Sequence, residues 1–578
     1  MDATSSTGRP TRRQLLGAGA AAGLALTSGC LRRVRNVVRR SPDHQLSITI
    51  TTVDADEDPV AARIATLVGD ALTVAGIDVD ITSYSRPEFY RTTLFYHDYD
   101  VFVGRQFVGT DPDYLYEASY SGFAEEWGRQ NPYGLTNISL DGRLDESRAQ
   151  TGTDRESAVA DVLTTIADEQ PFTPICRPIE GRVVDPLRFV GWDEHALDDP
   201  LAYLSLSPRG SVTELTVVTT DDRPTRNLNP LAVEYRDRGL VTGLLYDSLA
   251  VRDGDDLVPW LAADWEWNER TVTVDLRSAT WHDGESVTAD DVAFTYTFLG
   301  DTTLEDAELE TPAPIYRGRS SAIESVEVIA DDRLELTTNV GESVFENALT
   351  VPILPEHVWV DRTDEVATSE FDITDGITEA IATDNVPPIG SGPFEFAAIE
   401  AETRLELIRY EDHFSVAETD LPTNEIDRFH LEYVEDSDAL VKAVVDDADV
   451  GLSPVDPMTI DDIDLPEGLE LVETRPPGMY YLGFNTRISP LGNPRFRQTI
   501  AALIDKKHVI ETAIGGRGEP IASPLSPDWT PTSLEWDGVD PVAPFLGTDG
   551  ELDQAAVRER FEEMGYRYNE DGELLVRN

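Results

Sequence analysis

Lysine and cysteine are the scarce residues of this 578-residue chain. Lys442, Lys506 and Lys507 are its only lysines. Forty-six basic residues face 109 acidic ones, for a formal charge of −63. That balance disfavours nucleic-acid binding, because neutralising a phosphate backbone needs basic patches. The acids are dispersed, as in Asp290-Asp291, Asp446-Asp447 and Asp461-Asp462, and are not gathered into a tail. Scattered acid with almost no lysine reads as a surface adapted to molar salt, where charges are screened over a few ångströms. An acidic surface for a cationic partner is the other reading. The two cysteines, Cys30 and Cys176, cannot build a disulfide framework. Cys176 lies in the apolar run 171–180 and reads as a buried free thiol. The eight histidines show no ligand spacing, and neither a GxSxG elbow nor an HExxH helix occurs. No metal, cofactor or catalytic group is therefore assigned, and the chain is not read as an enzyme.

Long apolar runs are also missing. The Ala/Gly/Leu stretch ending at Ser28 is too short to span a bilayer as a stable helix. Residues 1–30 read as a targeting segment outside the fold. Thr11-Arg12-Arg13-Gln14-Leu15-Leu16 resembles a twin-arginine export signal, carried by Arg12 and Arg13. Leu26-Thr27-Ser28-Gly29-Cys30 resembles a lipobox with Cys30 as the acylated thiol, although Thr27 replaces the usual aliphatic residue. In residues 31–45, Arg32, Arg33, Arg35, Arg39 and Arg40 reverse the local charge. They form either a basic tether lying on anionic lipid or a plain linker.

The chain is organised around residues 243–296. Val272, Val274 and Leu276 alternate with polar residues as a half-buried strand. His282-Asp283-Gly284 makes a turn. Thr288 stands at a helix N-cap with Asp291 in the capping-box position. The series Leu261, Trp265, Leu276, Trp281-His282-Asp283-Gly284, Thr288-Ala289, Asp291-Val292 and Phe294 resembles the signature run of the family 5 extracellular solute-binding proteins, the peptide receptors of ABC importers. The composition suggests a haloarchaeal-type member. Further resemblances are the run 353–359 (ILPEHVW), the turn Ile389-Gly390-Ser391-Gly392-Pro393-Phe394 and the run 480–486 (YYLGFNT). The glycine-rich turn lacks the lysine and helix of a phosphate loop.

Residues 46–205 carry α/β elements in an order that resembles the C-terminal third of that family. They include strands at Leu46–Ile50, Ile77–Ile81 and Tyr99–Val103. A helix is opened by Asp58-Pro59 and lined by Val60, Ile64, Leu67 and Ala71, and another is capped by Asp154. The end of the chain, with its Asn569-Glu570-Asp571-Gly572 hairpin, looks like what should precede them. The resemblance therefore implies a circular permutation, with the usual ends joined through Ser207-Pro208-Arg209-Gly210-Ser211 within residues 206–211. The expected fold is α/β, two-lobed and periplasmic-binding-protein-like (type II). Lobe 2 would hold 46–205 and 479–578, and lobe 1 would hold 212–478. The hinge crossings are expected near 190–212 and 476–486.

By the same resemblance, the lobes close on a small polar solute or peptide and deliver it to a permease and an ATPase. The chain would be a monomer held at the outer face of the membrane by its lipid anchor. Sensing without transport and a surface hydrolase are the alternatives. Ligand contacts are expected from Arg105, Phe107, Asp111, Tyr114, Asn229, Tyr480, Tyr481 and Asn485. Family members that bind free peptides present a tryptophan and, three residues on, an aspartate for the α-amino group. Here Arg105 and Val108 stand at those places, so Arg105 either receives a carboxylate or phosphate of a different ligand or pairs, as a surface arginine, with one of the chain's many acids. Asp111 or Asp113 could take the amine, or serve only their own turn.

Overall fold

The computed structural model describes residues 43–577 apart from 108–110, 237–238, 255, 306–309, 367–376, 418–420, 423 and 477. The export signal with Arg12 and Arg13, the lipobox with Cys30, most of the tether, Val108 and Asn578 lie outside the described residues.

Isoleucine and threonine make Ser47–Val53 a strong strand, and all but its first residue are buried. It runs parallel to Asp78–Tyr84 and to Val101–Phe107. Burial on both faces is what a parallel pair requires, because its crossover helix covers the sheet. That helix is Pro59–Val74, started by the Asp58 carboxylate, which accepts the Ala61 N–H at 2.9 Å. Its apolar stripe is wider than expected: Ala61, Ala65, Val68 and Leu72 are buried with Val60 and Ile64, whereas Leu67 and Ala71 are half-buried.

The sheet has six strands in the order Gly518–Pro520, Phe172–Pro178, Gly478–Phe484, Val101–Phe107, Ser47–Val53 and Asp78–Tyr84. Segments far apart in the sequence, 47–178 and 478–520, thus build it, and a separate three-stranded sheet joins the outermost described strands. Asp43–Gln45 pairs antiparallel with Leu574–Arg577, with His44 opposite Val576. Gly76 holds φ +86°, and a β-carbon there would lie 2.4 Å from the Gly572 carbonyl, so only glycine lets the helix exit pack on the hairpin. One core joins Ile48, Ile50 and Val101 to Leu482, Phe496, Phe561 and Leu574.

A second sheet has seven strands: Phe394–Glu400, Arg404–Arg409, Arg428–Tyr433, Glu214–Thr219, Val450–Gly451, Glu180–Val184 and Glu470–Thr474. The first crossing between the two bodies therefore lies at Ile179, between Phe172–Pro178 and Glu180–Val184, and not at 190–212. Residues 180–204 belong to the second body, which corrects the expected boundary at 205. The buried run 172–184 looks like one strand, but Pro178 interrupts it where the chain changes sheets. The second crossing runs between Thr474 and Gly478. Ser207–Pro208 pairs with Phe189–Val190, and residues 209–211 are exposed.

The organising stretch forms part of the second body. Thr271–Leu276 buries alternate residues within a four-stranded sheet. Asp291 accepts the Thr288 N–H at 2.9 Å and, through its other oxygen, the Glu356 N–H at 3.0 Å. It thereby starts the helix Ala289–Gly300 and pins the ILPEHVW run. The His282 Nδ1 accepts the Gly390 N–H at 3.3 Å while Nε2 faces the Gly392 carbonyl at 3.0 Å, which places the ring proton on Nε2. Burial lowers its proton affinity further. A β-carbon at Gly390 would lie 1.9 Å from the Leu245 carbonyl. The glycines of this turn thus serve close packing and not a phosphate. The helix Gly152–Glu169 begins behind Thr151, so Asp154 sits in its first turn and is not the cap.

Candidate functional site

Two cavities of about 430 and 500 Å³ lie along the seam between the bodies, and Asp198, Arg236 and Gly239 border both.

The first chamber is built at the Ile179 crossing. Arg105 projects from the six-stranded sheet and Glu180 begins the strand that enters the other sheet. Arg105 is ion-paired to Glu180, and the second Glu180 oxygen accepts from Arg182 at 2.6 Å. Arg182 also donates to the Leu452 carbonyl at 2.7 Å and to Thr474 Oγ1 at 2.9 Å. Arg105 stands 5.8 Å from the centre of the Tyr480 ring, and the Tyr480 hydroxyl donates to Asp58 at 3.1 Å. Burial works against the Arg105 charge, but Glu180, Tyr480 and Asp58 together hold the guanidinium more firmly protonated than usual. The anion expected on Arg105 is therefore the protein's own carboxylate. Around this hub, Arg63 grips Asp456 at 3.0 and 2.8 Å and Arg223 grips Asp221 at 2.8 and 2.6 Å. Each is a two-pronged pairing that fixes orientation as well as charge.

The second chamber is walled by the Asp111-Pro112-Asp113 turn and the helix Tyr114–Ser119. Arg155 holds both Asp111 oxygens, at 2.7 and 2.6 Å, and reaches across the seam to Ser343 at 2.8 Å. Arg148 pairs with Asp113 at 2.9 Å and donates to the Gly318 carbonyl and Ser321, each at 3.1 Å. The two aspartates are thus engaged by arginines of their own body, and those arginines reach across the seam and latch the bodies together. Burial raises the Asp113 pKa to about 6, with Arg148 pulling the other way.

Of the other expected contacts, Tyr114 lines the second chamber, its hydroxyl enclosed without a hydrogen bond. Tyr480 lines the first. Phe107 ends its strand opposite Gly478. Three residues border neither chamber. Tyr481 lies 5.3 Å from Phe102 and 6.1 Å from Phe172 in an aromatic cluster. Asn485 donates to the Tyr99 carbonyl at 2.9 Å and accepts the Arg487 N–H at 3.2 Å. Asn229 donates to the Ala380 carbonyl at 2.7 Å and accepts the Leu231 N–H at 2.8 Å. Their polar atoms tie loops within a body, as buried amides must. Arg236, Asp198 and Thr242 were not expected from the sequence.

Among the described residues, no His, Cys, Asp and Glu cluster is placed to hold a metal ion. None of their helices is long and apolar enough to cross a membrane. Cys176 is buried, and burial pushes its thiol up to about 12.

A protein of Brucella ovis, named for peptide binding in an ABC transporter, is 24% identical over 301 residues, covering 51% of each chain. A binding protein of Brucella melitensis is 26% identical over 330 residues, 51% of this chain and 48% of its own. The chain spans about half the length of the curated relatives it matches. Among solved structures, the DppA protein of Helicobacter pylori in complex with the peptide STSA aligns with a TM-score of 0.45 at 18% identity, over 61% of this chain and 66% of its own. The oligopeptide-binding protein AppA of Bacillus subtilis, in complex with a nonapeptide, aligns with a TM-score of 0.43 at 18% identity, over 62% and 66%. The family model of the bacterial extracellular solute-binding proteins, family 5 Middle, matches residues 256–577. That span is more than half of the sequence and includes most of the second body, the second crossing and the return into the first sheet, so the chain belongs to the family 5 extracellular solute-binding proteins.

Proposed function

We propose that this protein is a lipid-anchored receptor that captures a peptide-like or other small polar solute between its two bodies and delivers it to an ABC permease and its ATPase. The observation that carries this reading is the pair of chambers, each lined by apolar and charged side chains, on a seam whose two sides are connected, among the described residues, by two crossings. Such a seam opens and shuts as a hinge, and a solute that touches both sides favours the shut form by its differential contacts. The name of the Brucella ovis relative, which speaks of peptide binding, supports a peptide-like solute here. Folded export through the twin-arginine route suits a chain of charge −63 that must fold in molar salt before it leaves the cell. Acylated Cys30 and the arginine-rich tether then hold the monomer at the outer surface.

The meeting of both chain ends in one sheet supports the permuted order of segments. Permutation is tolerated where old termini meet on the surface, and the exposed residues 209–211 are such a joint.

The test is to purify the full chain in molar KCl, unfold it and identify the released small molecules by mass spectrometry. A polar solute should appear, and its return to the emptied protein should shrink the radius of gyration in X-ray scattering. Release of nothing, together with scattering unmoved by any peptide or polar solute, would sink the receptor reading.

A further inference from the structure

Arg236 breaks the pattern of the seam. Arg105, Arg148, Arg155, Arg182 and Arg223 are all deeply buried, and each is paired to a carboxylate. Arg236 is just as deep, at 5% exposure, yet no carboxylate among the described residues forms an ion pair with it. Its Nη1 donates to the Tyr235 carbonyl at 2.8 Å, its Nη2 donates to the Asn227 carbonyl, and its Nε has no partner. In a chain with 109 acids the missing carboxylate is not a matter of supply. A buried guanidinium without a counter-charge is costly, and its cost falls when an anion arrives. Burial already pulls its pKa down to about 10.

Its position is equally specific, on the wall common to both chambers. The Thr242 and Tyr114 hydroxyls of the second chamber are likewise enclosed without a hydrogen bond. Guanidinium only donates, and a hydroxyl can donate. Three enclosed donors in one chamber match an acceptor-only group with several lone pairs.

We propose that Arg236 receives a carboxylate of the bound solute, with Thr242 and Tyr114 as supporting donors. The assignment rests on the receptor reading above and narrows it to solutes that carry a free carboxylate. Amines are left to the acidic parts of the seam.

The experiment uses the full chain in molar KCl, titrated with a tripeptide mixture in free-acid form and with the same mixture amidated at its C-termini. Thermal unfolding and calorimetry report binding. Wild type should bind the free acids at least about tenfold more tightly than the amides, a difference of about 1.4 kcal/mol. Arg236→Gln should lose that preference while keeping its residual affinity for the amides. Thr242→Val, which touches no main-chain contact of Arg236, should lower free-acid affinity by a few-fold and covers the case in which Arg236→Gln fails to fold. Equal binding of acids and amides by wild type overturns the carboxylate assignment and leaves the receptor reading standing. So does a full preference kept by both variants. If wild type binds neither mixture and releases no solute, the receptor reading falls and the assignment falls with it.

Discussion

The two chambers of the seam use the same residue types to opposite ends. In the first, the arginines other than the shared Arg236 find carboxylates: Arg105 and Arg182 share Glu180, Arg63 holds Asp456 and Arg223 holds Asp221. Its charges are spent on joining the bodies at the crossing. In the second, the aspartates of the turn are taken by Arg148 and Arg155, while Arg236, Thr242 and Tyr114 keep polar atoms without partners. A satisfied network fixes a structure, and an unsatisfied one costs stability unless something completes it. The difference teaches that charge near a cleft does not by itself mark a ligand contact. What marks it is charge left over after the protein has paired its own.

The largest test of this contrast is Glu180→Gln. It strips the counter-charge from two buried arginines at once, Arg105 and Arg182, whose side chains are 9% and 2% exposed. Removing one partner of a buried pair typically costs about 3–5 kcal/mol. The loss should appear as an earlier midpoint in denaturant unfolding, in the absence of any solute. A midpoint within error of wild type would mean that the first chamber is not the structural hub described.

Next in size is the latch of the second chamber, read through pH. Burial raises the Asp113 pKa to about 6, above the ordinary aspartate value near 4. The folded state therefore holds this proton more tightly than the unfolded state does. Its contribution to stability is fully present below the unfolded pKa and is lost as pH rises through about 4 to about 6, by roughly 1–3 kcal/mol. Asp113→Asn cannot titrate, so the variant should lose less stability than wild type over that window. Unfolding midpoints at pH 4 and pH 7 check this. Equal pH slopes in the two proteins would contradict the raised pKa.

How much of this was legible beforehand depended on how local the cause was. The capped start at Asp58-Pro59, the alternation of Val272, Val274 and Leu276, and the Thr288–Asp291 helix start are written within a few residues and appear as read. The Asn227-Leu228-Asn229-Pro230 turn was equally local. Asn227 bonds the N–H two residues on, as Asn229 does, which is ordinary turn chemistry and could have warned against a ligand role. The crossing at Ile179 was hidden because a strand buried in one sheet looks the same as a strand buried in the next. Which acid Arg105 pairs with was hidden for another reason. Its partner Glu180 is 75 positions away and is delivered by the register of two sheets. Arg236 carried no signal at all, since its lack of a carboxylate is a property of the assembled seam.

The smallest expected effect is the sharpest for the contrast. Thr242 is 6% exposed and its hydroxyl has no hydrogen bond. Valine has nearly the same shape and removes only the unpartnered oxygen. Where a hydroxyl is satisfied, its loss costs about 1 kcal/mol; where it is buried and unsatisfied, its loss is neutral or stabilising. Thr242→Val should therefore unfold within about 0.5 kcal/mol of wild type, or slightly later, in solute-free denaturant titrations. The same substitution should weaken a carboxylate solute. A variant that leaves the empty protein intact but impairs the filled one separates a group kept for a ligand from a group kept for the fold. A clear loss of stability in the empty protein would show that Thr242 belongs with Glu180 after all.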